Sequence, residues 1–394
     1  MAIPRLQSWS GPAVLSYGFR PFFLLGAFWS AVSVLIWASA YTGEFSAGNF
    51  STLDWHIHEM IFGFAAAIIG GFLLTSIPNW TGRLPVQGWP LLGLVVLWLA
   101  GRVVMLFPDV PGVWPTALID ISFLAVLAGA AGIEIVAGRN WRNLKMVLVL
   151  GVLVLANGAF HAEIALYGQS DYAWRAGLSG VLVMILIVGG RIIPSFTRNW
   201  LARNNAQRLP VPFNRGDVVS IFVAVGAFAL WSALPGHWLT GLVMLIAALL
   251  HVWRLSRWAG FAAIREPLVF VLHTAFAFLP LGMALVAATI FLPEMVYPAA
   301  AVHAFAAGAV GTMTLAVMTR ASLGHTGRAL KAGTGTCAIY ILVVAGAMMR
   351  VVAATQWAGT AGHLLLGIAA VLWVLAFGMF VAVYGPALMQ KRIS

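Results

Sequence analysis

Long apolar runs separated by short polar or Gly/Pro-containing stretches make up nearly the whole chain. They cover 21–41, 54–77, 88–107, 113–137, 145–168, 171–195, 215–234, 236–255, 267–292, 298–319, 333–353 and 358–385. A helix needs about 20 mostly apolar residues to cross the hydrocarbon core, whereas barrel strands alternate over about ten. The run lengths therefore predict an all-α integral membrane protein with about twelve transmembrane helices. Pro108-Asp109-Val110-Pro111-Gly112 and Pro235-Gly236 read as tight turns between neighbouring spans. The longest connection, 196–214, is too short for a domain, so residues 1–394 read as a single polytopic membrane domain. No internal repeat is evident at this level.

Composition supports the pattern. The chain is 62% hydrophobic and only 8% charged, too few charges to cover a water-soluble fold. The net charge of +11 does not imply a nucleic-acid partner, because Lys and Arg collect in cytoplasmic loops of membrane proteins. With the N-terminus inside, the inner segments hold Arg5, Arg20, Arg83, Arg139, Arg142, Lys145, Arg198, Arg203, Arg208, Arg215, Arg254, Arg257, Arg265, Arg320, Arg328, Lys331, Lys391 and Arg392. These are eighteen of the 22 basic residues. Outer loops carry Glu44, Asp109, Asp171 and Glu294. Both termini are therefore expected in the cytoplasm. The N-terminus lacks a signal-peptide pattern, so the first span is expected to be retained. A single cysteine, Cys337, excludes an intrachain disulfide and Cys-based metal motifs.

Nine histidines stand out in so apolar a chain, since ionisable groups within a bilayer are costly and are functional candidates. His56, His58, His161, His237, His303 and His363 fall toward the outer side; His251, His273 and His325 fall toward the inner side, His325 in a loop. His56 and His58 lie about 200° apart on a helix, so they are expected to serve different sites. Glu59 is expected on the face of His56, with Gly63, Ala66 and Gly70 continuing it as a small-residue groove. Such a groove suits close helix packing or a flat macrocycle. Asn157 and His161 are i+4 neighbours. Several intramembrane imidazoles without Cys suit haem iron, copper or non-haem iron. His237 and His363 read as interfacial. Arg102 and Asp120 flank the 108–113 turn nearly symmetrically and are expected to form a buried ion pair. Arg175 and Arg350 are candidates for a cofactor's acidic groups, Glu59 and Glu163 for proton transfer, and Glu134 for snorkelling. Gly189-Gly190-Arg191 and Pro194 suggest a broken helix end beside an inner polar site.

Four segments carry a family resemblance: Leu15–Phe23, Trp55–Phe64 (WHIHEMIFGF), Gly189–Thr197 (GGRIIPSFT), and the stretch from His303 through Gly308–Arg328 (GAVGTMTLAVMTRASLGHTGR). The chain resembles the NnrS family along its whole length. His56, His58, Glu59, Arg191, His303 and His325 match those motifs, and His161 and His273 match weaker ones. The resemblance implies a multi-pass protein of the bacterial inner membrane holding haem b and copper or non-haem iron and acting on nitric oxide. On that basis the leading expectation is reduction of NO to nitrous oxide, with a quinol as possible electron donor. Non-catalytic NO binding, protection or sensing, and transport or copper handling, are the alternatives.

Overall fold

The computed structural model describes residues 9–41, 48 and 50–393. Arg5 and Glu44, both used in the charge argument, lie outside the described residues. Twelve helices are long and apolar enough to cross a membrane. They are α1 (Phe19–Ala40), α2 (Thr52–Thr81), α3 (Trp89–Leu106), α4 (Val113–Ala137), α5 (Trp141–Tyr167) and α6 (Ala173–Arg203). The remainder are α7 (Arg215–Ala233), α8 (Trp238–Ser256), α9 (Pro267–Phe291), α10 (Pro298–His325), α11 (Thr334–Val352) and α12 (Gln356–Met389). No strand forms among the described residues; Val296 and Thr355 make one isolated bridge. The chain is a multi-pass membrane protein, and only helices satisfy every backbone group of such spans internally.

Local chemistry sets the helix ends. Ser51 accepts from the Asp54 N–H at the start of α2, and Asn214 and Asp217 form a capping box on α7. Gly82 closes α2 in the left-handed region at φ 70°, which glycine adopts at no steric cost. Two expectations change here. α6 runs unbroken through Gly189, Gly190 and Pro194 to Arg203, so the broken end does not form; apolar and basic side chains carry the helix two turns beyond the proline. His325 is the last residue of α10, not part of a loop.

The chain divides into two compact units. The first comprises 1–180, 318–330 and 377–394; the second comprises 181–317 and 331–376. In the first, α1 and α2 approach through small residues: a Cβ on Gly26 would lie 2.7 Å from Ile68, and one on Gly71 2.9 Å from Phe23. The Tyr17–Phe23 segment ties three helices together. Phe19 N–H and Tyr17 OH donate to Thr75 Oγ1 and O at 3.0 and 3.2 Å. Arg20 donates to the carbonyls of Leu388 and Gln390 at 2.9 and 2.6 Å, which closes the C-terminal end of α12. The His325 ring packs on Tyr17 and Phe19. Burial pushes the Tyr17 phenol up to about 12.

In the second unit, Phe305 fills the space beside Gly282, where a Cβ would sit 2.4 Å from its ring, and packs on Phe228 and Trp231. α2 and α10 share a plan that the sequence pattern did not reveal. Each contains a π-helical segment, Glu59–Ala65 and Ala304–Gly311. Each segment begins directly after a histidine, His58 or His303, and holds a glycine at the matching place, Gly63 or Gly308. Each helix also leads at equal spacing into Thr-Gly-Arg (81–83 and 326–328), with that glycine at φ 70° or 79°. This is an internal likeness between the two helices.

Candidate functional site

The polar core of the first unit is assembled from α1 to α5. Asp54 is bound by Ser51 and by the Ser170 N–H, which anchors the first turn of α2 so that His58 points inward. His58 and Glu59 are 0% exposed. Glu59 accepts from Trp29 Nε1 and Arg102 Nη1, each at 2.6 Å. Arg102 Nη2 donates to Asp120. His58 Nδ1 lies 3.1 Å from Glu59 Oε1, and its Nε2 lies 3.0 Å from both Asp120 Oδ2 and Asn157 Oδ1. Asn157 Nδ2 donates to Asp120 Oδ2 at 2.8 Å, and His161 Nε2 reaches the same oxygen at 3.2 Å. Phe50, Phe62 and Phe160 wall the imidazoles. Unpaired, such groups are costly to bury; here Arg102 and the imidazoles answer the two carboxylates.

One ligand atom each from His58, Asp120 and His161 lie within 4.8 Å of one another. The 3.0 and 3.2 Å edges of that triangle fit a metal with bonds of about 2.1 Å. Two imidazoles and one carboxylate are the donor set of non-haem iron sites and are also acceptable to copper. Haem does not fit at this position. The groove expected along Gly63 is filled: a Cβ there would lie 2.2 Å from Arg102 Nη1 and 2.7 Å from Glu59 Oε2. Trp98 Nε1 also donates to the Gly63 carbonyl at 2.9 Å.

The sequence-predicted residues divide sharply. His58, His161 and Glu59 meet in the cluster, and the predicted Arg102–Asp120 pair is part of it. His56 lies elsewhere on α2, stacked on Trp37 at 4.6 Å. Glu59 bonds His58, Trp29 and Arg102 and still borders Gly63, whereas His56 does not join it. Glu163 takes no part. Its carboxylate accepts from Ser170 Oγ and from the N–H groups of Asp171, Tyr172 and Ala173 at 2.6 to 3.2 Å, capping α6. Arg175 lies over Trp174 and Tyr172. Glu134 pairs with Arg83 at 2.5 Å rather than snorkelling alone, and this carboxylate raises the Arg83 guanidinium above its ordinary value.

His273, His303, Arg191 and Arg350 belong to the second unit. His273 Nε2 bonds Thr197 Oγ1 at 2.8 Å. His303 Nδ1 donates to the Ala299 carbonyl at 2.8 Å. Arg191 is exposed on α6 and Arg350 half-buried on α11. His237 accepts from the Leu239 N–H as the cap of α8, and His363 is exposed, in line with interfacial roles. Asp120 as a candidate ligand and Trp29 as a Glu59 donor were not anticipated. The near-equal distance of Arg102 and Asp120 from the turn was the available signal for the first; nothing marked the second.

A family model described as NnrS protein matches residues 13–392. No curated protein matches the chain.

Proposed function

This chain belongs to the NnrS family, membrane proteins linked to nitric oxide metabolism, and from that we propose that it reduces NO to nitrous oxide at a metal held by His58, Asp120 and His161. The observation that carries the reading is the buried two-histidine, one-carboxylate triangle on three separate spans. The reaction is 2 NO + 2 e⁻ + 2 H⁺ → N₂O + H₂O. A bound iron or copper would supply the redox-active position that accepts NO.

The remaining work belongs to the chain. Glu59 faces His58 Nδ1 at 3.1 Å, so Nδ1–H donates to the carboxylate; Nε2, which donates toward Asp120 Oδ2 and Asn157 Oδ1 at 3.0 Å, would give up its hydrogen to hold the metal. Carboxylate partners of this kind fix the tautomer and strengthen the donor. Arg102 bridges Glu59 and Asp120 and offsets the two negative charges in a site that excludes water. Asn157 holds Asp120 Oδ2 from a second direction. Glu59, bonded also to Trp29, is the residue placed to hold and release a proton beside the metal ligands. Haem b, which the family resemblance implies, has no room at this cluster. His303, whose Nδ1 donates to the Ala299 carbonyl, would be the residue to hold that group. The unbroken α6 supplies no interrupted span of the kind that lines transport sites. The basic bias of alternate loops supports cytoplasmic termini in a bacterial inner membrane.

The test uses the purified full chain: metal content by mass spectrometry, then anaerobic NO with reductant and gas-chromatographic detection of N₂O. Wild type is expected to contain iron or copper and to form N₂O. His58→Ala, Asp120→Ala and His161→Ala are expected to lose both, whereas His237→Ala keeps them. A folded, metal-free wild type, or undiminished N₂O from the three variants, overturns the reading.

A further inference from the structure

The second unit buries another set of polar groups, at the ends of α6 and α8, the start of α9, and the 257–266 connection. His251 is 0% exposed, and its Nδ1 lies 3.0 Å from the Ala247 carbonyl. A carbonyl only accepts, so Nδ1 carries the hydrogen and Nε2 the lone pair. That buried Nε2 has no partner. His273 reaches the same condition by a different route. The Thr197 hydroxyl donates to the Ile193 carbonyl at 2.8 Å, so at 2.8 Å it accepts from His273 Nε2. The lone pair of His273 is therefore on Nδ1, again buried and unpartnered.

Arg254 supplies the opposite kind of group. Its Nε donates to Asp217 at 3.0 Å, but Arg257 claims the other oxygen of that carboxylate at 3.1 Å. One positive charge is left over, and Arg254 Nη1 is buried with no partner. These groups border one aromatic pair, Trp258 and Phe276, with centroids 4.6 Å apart. Phe276 stacks with His251 at 6.1 Å, Trp258 meets His273 at 6.4 Å, and the Arg254 guanidinium lies 5.2 Å from Trp258. Two glycines let these side chains pack directly on backbone: a Cβ on Gly190 would lie 2.1 Å from Arg254 Nη2, and one on Gly260 2.6 Å from His273 Nδ1. Beside Gly260, Ala259 is held at φ 54°, a conformation costly for alanine.

Two bare acceptors and one bare cationic donor call for a ligand with hydroxyl hydrogens and an oxygen acceptor. The excess positive charge and the lack of an unclaimed carboxylate disfavour a metal ion. The aromatic wall fits a ring, and the bilayer setting fits an apolar tail. We propose that this is a binding site for the hydroquinone head of a membrane quinol, its hydroxyls donating to His251 Nε2 and His273 Nδ1, and Arg254 Nη1 donating to a ring oxygen. On oxidation both O–H bonds break, the two C–O bonds become C=O, and the two protons pass to the imidazoles. The two electrons leave for the reduction of two NO. Only that last destination rests on the function proposed above; binding does not.

Because bare lone pairs need donors, the site discriminates by hydroxyl hydrogens. The test is anaerobic equilibrium dialysis of the full chain in nanodiscs with duroquinol and with its dimethyl ether, 1,4-dimethoxytetramethylbenzene. Saturable binding of about one duroquinol per chain is expected, at least about tenfold tighter than the ether, a ratio set by losing roughly one net hydrogen bond. His251→Phe and His273→Phe keep a ring but remove the lone pair, and each is expected to weaken duroquinol about tenfold or more. Equal binding of the ether, no saturable binding by wild type, or unchanged affinity in both variants overturns the proposal. If a variant elutes as aggregate, the wild-type comparison of quinol with ether decides alone. Quinol binding without N₂O formation would sink the NO-reduction reading and leave this site standing; N₂O formation without quinol binding would do the reverse.

Discussion

Arg102→Met offers the sharpest examination of the charge network in the first unit. The guanidinium bridges two carboxylates that are both fully buried, Glu59 and Asp120, and methionine replaces its stem with similar apolar bulk. The variant leaves two anions answered only by His58 and His161. Removing one partner of a buried ion pair costs about 3–5 kcal/mol, because the remaining charge is uncompensated. The companion Glu59→Gln removes one anion and keeps an oxygen for Trp29. The double variant retains Asp120 against His58, so it is expected to be less destabilised than the sum of the singles by about 1–3 kcal/mol. Unfolding of all four proteins by SDS titration in mixed micelles supplies the cycle. If the two single costs add to within about 0.5 kcal/mol, Arg102 is not paired with Glu59 as described, and the charge balance assigned to the cluster is wrong.

Three more outcomes are expected from contacts on other elements. Gly63→Ala would drive a methyl to 2.2 Å from Arg102 Nη1 and is expected to displace the guanidinium; bound metal per chain should fall, as read by mass spectrometry, whereas Gly70→Ala, whose nearest neighbours are 3.3 Å away, should fold normally. Glu163→Gln weakens the cap on α6 and is expected to cost about 1 kcal/mol, measured by the same SDS titration. The buried Tyr17 phenol has its pKa raised to about 12 from an ordinary 10. The stability this confers is fully present below pH 10 and is lost as pH rises toward 12, because the unfolded chain ionises first. Tyr17→Phe should flatten the decline of stability over that window.

The spans were legible because the bilayer sets their length: 113–137 matches α4 residue for residue. Their ends were less so. Hydropathy stops the sixth and tenth spans near Ser195 and Thr319, but α6 and α10 continue to Arg203 and His325, since helix propensity does not fall where hydropathy does and Arg, Ala and Leu are good helix formers. The Arg102–Asp120 pair could be placed because two antiparallel helices joined by a tight turn bring near-equidistant residues together. The partners of Glu59 could not, because Trp29 and Arg102 come from other spans and His58 is its chain neighbour, a pairing that face assignment by helical spacing does not consider. Glu163 looked like a proton carrier for want of any trace, in sequence, of the four donors that occupy it. His251 could be sorted by depth but given no role, since its defining contact is with a backbone carbonyl, which every residue possesses.

The shared plan of α2 and α10 bears on how two kinds of site are divided between them. Each π segment starts after its histidine, and such wide turns recur at functional positions because they present side chains a regular helix would misdirect. The residue directly after the histidine differs between the two helices. In α2 it is Glu59, which faces His58 Nδ1; in α10 it is Ala304, and His303 Nδ1 turns to the Ala299 carbonyl instead. A carboxylate behind an imidazole adds negative charge to its metal, which suits a small, highly charged ion sharing a ligand such as Asp120. A carbonyl adds none, which suits a macrocycle that already neutralises its own iron. The exchange of one residue after each histidine thus supports the proposed assignment of a non-haem metal to His58 and of haem to His303. Glu59→Ala should accordingly lower metal retention at the first site by about 10–100-fold and leave the haem absorption band in place; loss of the band together with the metal would mean that one centre, not two, depends on both histidines.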